Sequence, residues 1–309
     1  MAVIREFETF GKHGQVIRIH DNLFPLYIVK GEKNFLIDSG ATVRANVFHE
    51  RIEKALKETG PSASNGIDTL LLTHSHWDHT GAAYYLQQIY GFNVMASHRT
   101  VELLQKQKVI GFIDRLNQEY KAMQKDIDTS TAKFDRLEKL DTVGEGDTIR
   151  VDSGSYFEVI DTPGHTKCAV SYLLKPDNIL FQGDSAGLLE KNGSIKPIFL
   201  SSYSEYEDSI KKLMALEAEA MAFPHNRFLQ GKDQVKKYLQ DSLARTQEVK
   251  AVILKILKDE KDTAQIAETL YRQEFPITSI MGPKEAMMIN LEAMVKAIAY
   301  EARDACTHL

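Results

Sequence analysis

The chain has 309 residues, a length that fits one large domain or two of ordinary size. Apolar residues make up 43% and charged residues 26% of the chain, close to the globular average, which excludes a disordered, collagen-like or coiled-coil protein. The formal net charge of -5 at pH 7 argues against nucleic acid or an anionic membrane surface as the main partner.

The cellular location is predicted from hydropathy, the first residues and the cysteines. No apolar run approaches the roughly 18 residues of a membrane-spanning helix. The opening residues MAVIREFETF lack the basic and apolar regions of a secretory signal. Two cysteines, Cys168 and Cys306, do not make a disulfide framework, which is typical of a reducing compartment. We therefore expect a cytoplasmic protein.

The first two thirds of the chain alternate between strand and helix patterns. Short apolar runs rich in β-branched residues and separated by Asn, Asp and Gly predict strands. These runs occupy residues 15–21, 25–31, 34–40, 67–73 and 93–97, and several more follow within 144–183. Runs with helical spacing lie at 43–58 and 81–89. The pattern predicts an α/β body.

A polar segment at residues 99–140 interrupts this body. Its apolar positions at helical spacing predict one or two inserted helices; they are Phe112, Leu116, Tyr120 and Met123. The segment is either a peripheral hairpin or a lid. As a lid, it would wall the active site together with the C-terminal helices, with Phe112, Leu116 and Tyr120 near the substrate.

The last third of the chain has a helical pattern. Ser204 followed by Glu207 predicts a capping box, Asp262 with Gln265 predicts a second cap, and Gly282-Pro283 predicts the start of the last helix. We therefore predict a body over residues 1–231 and a helical extension over 232–309.

The stretch from Thr73 to Gly81 carries the chemistry. Three histidines and an aspartate lie within six residues directly after a buried strand; they are His74, His76, Asp78 and His79. This spacing excludes the helical zinc-protease motif, and structural zinc sites mostly use Cys, which is absent nearby. On a loop, the alternation directs His74 and His76 to one side and Asp78 and His79 to another. The motif predicts metal binding, with room for two ions.

Further motifs follow in the order typical of one family. They are Asp38 in LIDSG, His165 in DTPGHT, Asp184 in FQGDS and His225 in AFPHN. Over residues 15–230 the chain resembles the metallo-β-lactamase-fold hydrolase superfamily. The resemblance implies a four-layer αββα sandwich, here with a helical insert and a helical C-terminal extension.

The resemblance also implies a binuclear metal site. One ion would be bound by His74, His76 and His165. The other would be bound by Asp78, His79 and His225, and Asp184 would bridge both. Asp38 would support the metal loop. Zinc is the expected metal, with iron or manganese as alternatives because the ligands include no Cys.

The implied reaction is hydrolysis of an ester, thioester or lactone by a metal-bridging hydroxide, with Asp78 or Asp184 passing a proton to the leaving group. Asp184 stands where β-lactam-hydrolysing members carry Cys, which argues against an antibiotic lactamase. The insert and the tail are similar to the quinolone-signal response, thioesterase-like members. A nuclease or phosphodiesterase of the same fold and a metal-bearing regulatory or interaction protein remain alternatives.

The predicted last helix, Pro283 to Asp304, has apolar residues on more than one face. It is either buried within its own chain or part of a homodimer interface. We expect a homodimer that acts on a small-molecule substrate.

Overall fold

The computed structural model describes residues 6–11, 15–21, 24–60, 64–124, 132–225, 227–275 and 284–307. The chain divides into two compact units. Unit 1 comprises Met1–Ile160 and Val170–Gly183, and unit 2 comprises Asp161–Ala169 and Asp184–Leu309. The domain boundary expected after Gly231 stays a prediction.

Unit 1 is built on a mixed sheet whose strands follow one another in chain order. They are β1 (Phe7–Phe10), β2 (Val16–Ile19), β3 (Leu26–Val29), β4 (Phe35–Ile37), β5 (Thr69–Leu71), β6 (Asn93–Ser97) and β7 (Leu140–Val143). The pairs from β1 to β4 are antiparallel, and those from β4 to β7 are parallel. Strands β4 and β5 therefore end at the same edge, and this edge carries Asp38 and the metal motif.

The helices of unit 1 connect these strands. They are a 3₁₀ turn (Thr42–Arg44), α1 (Ala45–Glu58), α2 (Trp77–Thr80), α3 (Ala83–Tyr90), α4 (His98–Leu104) and α5 (Gln107–Met123). Helix α1 buries Phe48, Ile52 and Ala55, which lie on one helical face. Helix α3 ends at Gly91, whose φ of 65° belongs to the left-handed region that favours glycine.

Four more strands of unit 1 lie side by side: β8 (Thr148–Arg150), β9 (Tyr156–Asp161), β10 (Val170–Lys175) and β11 (Ile179–Phe181). Phe157 on β9 packs edge-on against Phe35 on β4, with ring centroids 5.5 Å apart. The hydroxyl of Tyr172 donates to the Leu72 carbonyl at 2.9 Å. These contacts join the four strands to β4 and to the residue that follows β5.

The helical insert predicted at 99–140 is present as α4 and α5, and its residues 125–131 lie outside the described part of the chain. The four apolar positions at helical spacing, Phe112, Leu116, Tyr120 and Met123, do not form one buried face. Tyr120 is buried, whereas Phe112 and Met123 are 50% and 48% exposed. The buried face instead contains the polar residue Asn117, because its amide bonds to backbone groups that apolar spacing does not reveal.

Unit 2 begins with the loop Asp161–Ala169 and continues, from Asp184, with short strands and long helices. They are β12 (Leu188–Leu189), β13 (Ile195–Lys196), α6 (Tyr203–Ala215), β14 (Ala220–Ala222), β15 (Phe228–Gln230), α7 (Lys232–Asp259), α8 (Thr263–Gln273) and α9 (Lys284–Thr307). The strands pair as two antiparallel hairpins, β12 with β13 and β14 with β15.

Of the two helix caps predicted in unit 2, the structure confirms one. Asp262 caps α8, as predicted, by accepting from the Gln265 amide at 2.9 Å. The predicted cap of α6 is wrong by two residues, because Ser202 rather than Ser204 accepts from the Glu205 amide. Serine occupies positions 201, 202 and 204, so the sequence alone leaves the capping residue ambiguous. The predicted Gly282-Pro283 start of α9 lies outside the described residues.

Most apolar side chains of α9 are buried within unit 2. The buried set is Met287, Leu291, Met294, Val295 and Ile298, while Ile289 and Tyr300 are 66% and 68% exposed. Helix α9 packs against α8, α7 and α6. The homodimer stays a prediction. On this helix it is supported by the two exposed apolar residues, Ile289 and Tyr300. Within the described residues, no helix is both long and apolar enough to cross a membrane.

Candidate metal centre

Unit 1 brings together the four residues of the sequence motif. His74 follows β5, and the short helix α2 carries Asp78 and His79. The ring centroid of His74 lies 4.6 Å from that of His76 and 4.0 Å from that of His79. His79 Nε2 lies 4.0 Å from Asp78 Oδ2. His74 and His79 are almost fully buried, whereas His76 and Asp78 are partly exposed.

Asp38 holds this motif from the end of β4. Its carboxylate accepts hydrogen bonds from the Thr73 amide, the Thr73 hydroxyl and His79 Nδ1, each at 2.8 Å. The φ of Asp38 is 52°, a left-handed conformation that Asp tolerates better than most residues. The structure thus agrees with the supporting role that the family resemblance implies for Asp38.

These bonds assign the tautomers of two histidines. His79 donates its Nδ1 proton to the Asp38 carboxylate. The single proton of the Thr73 hydroxyl goes to Asp38, so this oxygen accepts from His74 Nδ1, 3.0 Å away. In both rings Nε2 is then the nitrogen with the lone pair. Metal-binding histidines are oriented in this way, with the second nitrogen donating to an oxygen.

Unit 2 brings together the other three predicted ligands. His165 Nε2 lies 3.4 Å from Asp184 Oδ2, and His225 Nε2 lies 3.7 Å from Asp184 Oδ1. All three side chains are more than nine-tenths buried. His165 Nδ1 donates to the Ile198 carbonyl at 2.7 Å, so its Nε2 also carries the lone pair. Asp184 therefore lies between the imidazoles of His165 and His225.

The loop that carries His165 is fixed by close backbone packing. Gly164 has a φ of 122°, and a Cβ at this position would lie 2.3 Å from the backbone N and Cα of Tyr206 on α6. The amides of Ser201 and Ser202 both donate to the Gly164 carbonyl. Glycine is therefore required here, both for its conformation and for the close approach of α6.

Two groups beside the ligands were not predicted from the sequence. The Ile198 carbonyl orients His165, but a backbone acceptor leaves no signal in the residue type. The Thr73 hydroxyl bonds to both Asp38 and His74. Its position directly before the motif is the sequence feature that could have indicated this role. Near His165 in the sequence, Thr162 accepts a hydrogen bond from the Ser185 hydroxyl at 2.8 Å.

The donor atoms fit divalent metal ions. Five imidazoles and two carboxylates are the ligand types that zinc, iron and manganese accept. The Nδ1 orientation of His74, His79 and His165 directs their Nε2 atoms to serve as ligands. Seven predicted ligands are thus gathered as four in unit 1 and three in unit 2.

Comparisons with known proteins agree with this chemistry. The sequence profile of the metallo-β-lactamase superfamily matches residues 25–225. A metallo-β-lactamase fold-containing protein of Sulfurisphaera tokodaii is 27% identical over 65% of this chain and 71% of its own length. A hydroxyacylglutathione hydrolase of a Bradyrhizobium species is 32% identical over 48% of this chain and 43% of its own length. The chain therefore matches only part of the length of these relatives.

A solved structure shows the same fold. A metallo-β-lactamase family protein of Thermus thermophilus superposes with a TM-score of 0.63, covering 96% of this chain and 93% of that one at 18% identity. The predicted fold class and the helical C-terminal extension are confirmed, and the predicted enzyme class, a metal-dependent hydrolase, is that of the family. Because the profile covers well over half of the chain, the protein belongs to the metallo-β-lactamase superfamily.

Proposed function

We propose that the protein hydrolyses a thioester, ester or lactone with two divalent metal ions. His74, His76 and His165 would bind one ion, and Asp78, His79 and His225 the other, with Asp184 shared by both. The observation that carries this proposal is the pair of histidine–carboxylate clusters, in which His74, His79 and His165 are oriented through Nδ1. Membership of a family of metal-dependent hydrolases supports it.

The substrate class is supported by the relatives. Hydroxyacylglutathione hydrolases are among them, and an acyl group on glutathione is held as a thioester. That activity belongs to those proteins, and its transfer to this chain is part of the proposal. The family resemblance implies that Asp184 stands where β-lactam-hydrolysing members carry Cys, so we do not propose an antibiotic substrate.

The roles of the chain's own residues follow from their contacts. Metal ions bound there would lower the pKa of a water molecule towards about 7 and polarise the substrate carbonyl. Asp38, Thr73 and the Ile198 carbonyl keep three imidazoles in the required tautomer. Asp78, partly exposed beside His79, would pass a proton to the leaving group, and Asp184 is the alternative donor.

A substrate panel with metal-loaded protein tests the proposal. Protein loaded with Zn²⁺, Fe²⁺ or Mn²⁺ is assayed with acyl-CoA thioesters, acyl-homoserine lactones and bis-p-nitrophenyl phosphate. We expect two ions per chain by elemental analysis and turnover of an acyl substrate. Turnover of the phosphodiester alone would favour a nuclease or phosphodiesterase. Metal binding without any turnover would favour a regulatory protein.

A matched pair of variants separates catalysis from folding. Asp184→Ala should abolish turnover while the protein keeps its circular dichroism spectrum. The control is Asp208→Ala, which changes a side chain of α6 that is 76% exposed and should leave turnover unchanged. Near-full activity of Asp184→Ala would contradict the binuclear site. The cytoplasmic location, the identity of the metal as zinc and the homodimer stay predictions.

A further inference from the structure

Helix α5 of the insert contacts the metal motif through a buried amide. Asn117 is 0% exposed. Its Nδ2 donates to the Ile113 carbonyl at 3.0 Å and to the Trp77 carbonyl at 3.4 Å, and its Oδ1 accepts from the Thr42 amide at 2.8 Å. One side chain thus joins α5, the turn that follows β4, and the first residue of α2. All of these groups belong to unit 1.

The indole of Trp77 is held by two rings. Its centroid lies 5.0 Å from that of Tyr120 on α5 and 6.2 Å from that of Phe24, and these two rings are themselves 5.9 Å apart in an edge-to-face arrangement. Burial and the charges of Asp21 and Asp78 raise the pKa of Tyr120 to about 12, so this ring stays neutral. Trp77 is fixed by its ring and its carbonyl, between the ligands His76 and Asp78.

Gly81 permits this close approach of α5. A Cβ on Gly81 would lie 2.5 Å from the Trp77 carbonyl oxygen and 2.7 Å from Asn117 Oδ1. Any larger residue would therefore displace the amide from the carbonyl. Gly81, the last residue of the motif, therefore has to be small because Asn117, 36 positions further along the chain, packs against it.

Helix α2 needs such external support. It has four residues, whereas isolated helices shorter than about 12 residues are marginal in water. Its C-terminal half is held at His79, whose carbonyl accepts from the Ser39 amide at 2.7 Å and the Ser39 hydroxyl at 2.9 Å. Its N-terminal half, which carries Asp78, is held by Asn117 and by the rings around Trp77.

We propose that Asn117 is a positioning residue of the metal centre. Helix α5 acts as a brace: it holds Trp77 in place and thereby fixes the position of the neighbouring ligand Asp78. This inference rests on the proposed metal site. It assigns the insert a role in metal binding in place of, or beside, that of a lid. Phe112 is half exposed, with the Arg115 guanidinium 5.2 Å from its ring centre, and its expected place near the substrate stays a prediction.

The test uses the full chain, Zn²⁺ alone, and Asn117→Asp, which keeps the shape and the Oδ1 acceptor but loses the donor to Trp77. The matched control is Asn34→Asp. Asn34 is also 0% exposed in unit 1 and also donates through Nδ2 to backbone carbonyls, those of Ser64 and Gly66. Both variants lose a buried amide, so loss of stability alone cannot distinguish them.

Two readouts are specific to the brace. Zinc affinity, measured by competition with a chromophoric chelator, should fall about 10- to 100-fold in Asn117→Asp and less than threefold in Asn34→Asp. Trp77 is the single tryptophan of the chain, so its fluorescence reports the brace directly. In the metal-free protein, acrylamide should quench Trp77 more strongly in Asn117→Asp than in the wild type or the control.

Equal effects of the two variants on zinc affinity, or no effect of either, would overturn the inference. If Asn117→Asp does not fold, Asn117→Ser is scored by the same criteria. The serine side chain is too short to bond to the Trp77 carbonyl, and it adds no charge. A wild-type protein that binds none of Zn²⁺, Fe²⁺ and Mn²⁺ would refute the proposed function. Quenching of Trp77 in the metal-free variants would still decide whether Asn117 holds the motif.

Discussion

At the scale of single residues, the loop of His165 depends on a glycine and on a buried ion pair. Gly164 lets the loop contact the backbone of α6. On the other side of His165, its acceptor Ile198 lies two residues after Lys196. Lys196 Nζ is 3.1 Å from Glu190 Oε1, and the two side chains are only 4% and 2% exposed.

We expect Gly164→Ala to destabilise the protein strongly. The φ of 122° is strained for alanine by about 1–3 kcal/mol, and the clash with Tyr206 adds to this cost. Gly231→Ala is the control, because Gly231 has a φ of 111° with nothing within 4 Å of its Cβ position. Urea denaturation should show the larger loss for Gly164→Ala, with loss of bound metal. Equal losses would mean that the Tyr206 contact has no cost.

We expect Glu190→Gln to cost about 3–5 kcal/mol in the free energy of unfolding, because the buried Lys196 ammonium would lose the negative charge 3.1 Å away. The double variant Glu190→Gln/Lys196→Met should recover part of this loss. The exposed pair Lys237–Asp241 on α7 provides the control, since Lys237→Met should change stability by less than about 1 kcal/mol. Similar values for the two single variants would show that the buried pair contributes no more than a surface pair.

At the scale of secondary-structure elements, the C-terminal extension is attached to α6 by a carboxylate. Glu301 on α9 accepts from the Tyr203 amide at 2.9 Å, the Ser204 amide at 3.1 Å and the Ser202 hydroxyl at 2.8 Å. The first amides of a helix have no partner within the helix, and the helix dipole favours a negative charge there. Helix α6 also contacts the loop of His165, so the tail is linked to the ligand loop within unit 2.

We expect Glu301→Gln to lower the free energy of unfolding by about 1–2 kcal/mol through loss of the charge at the helix start. Glu292→Gln, also on α9, is the control because Glu292 contacts Lys296 on the surface of the same helix. Thermal denaturation of the two variants measures the difference. A Glu301→Gln protein as stable as the control would show that a neutral amide caps α6 equally well.

At the scale of the whole molecule, the exposed residues of α9 bear on the oligomeric state. Ile289 and Tyr300 are separated by eleven positions, which places them on one side of the helix. Among the described side chains of α9, Met287, Leu291, Met294, Val295 and Ile298 are buried, whereas Ile289 and Tyr300 are the large apolar residues most exposed to solvent. An interface through this helix would therefore be centred on Ile289 and Tyr300.

We expect light scattering at micromolar concentration to give about twice the 34.9 kDa of one chain. Ile289→Lys should convert this dimer to a monomer, because a charge would be buried in the interface. Ile89→Lys, which changes an exposed apolar residue on α3, is the control and should leave the mass unchanged. A wild-type protein that is monomeric throughout would contradict the predicted homodimer.

The sequence by itself determined the metal motif, the order of the ligand-bearing loops and the α/β pattern. These features are local. His74 to His79 lie within six consecutive residues shortly after a strand, and the periodicity of a strand depends only on neighbouring residues. It did not determine which face of α5 is buried, what caps α6, or what orients His165. The contacts responsible join Thr42 to Asn117, Tyr203 to Glu301 and His165 to Ile198, which are 75, 98 and 33 positions apart. Two of the three involve side chains that apolar spacing places on the surface, and all three involve backbone groups, which every residue type carries. Such contacts are therefore decided only by how the elements pack in the tertiary structure.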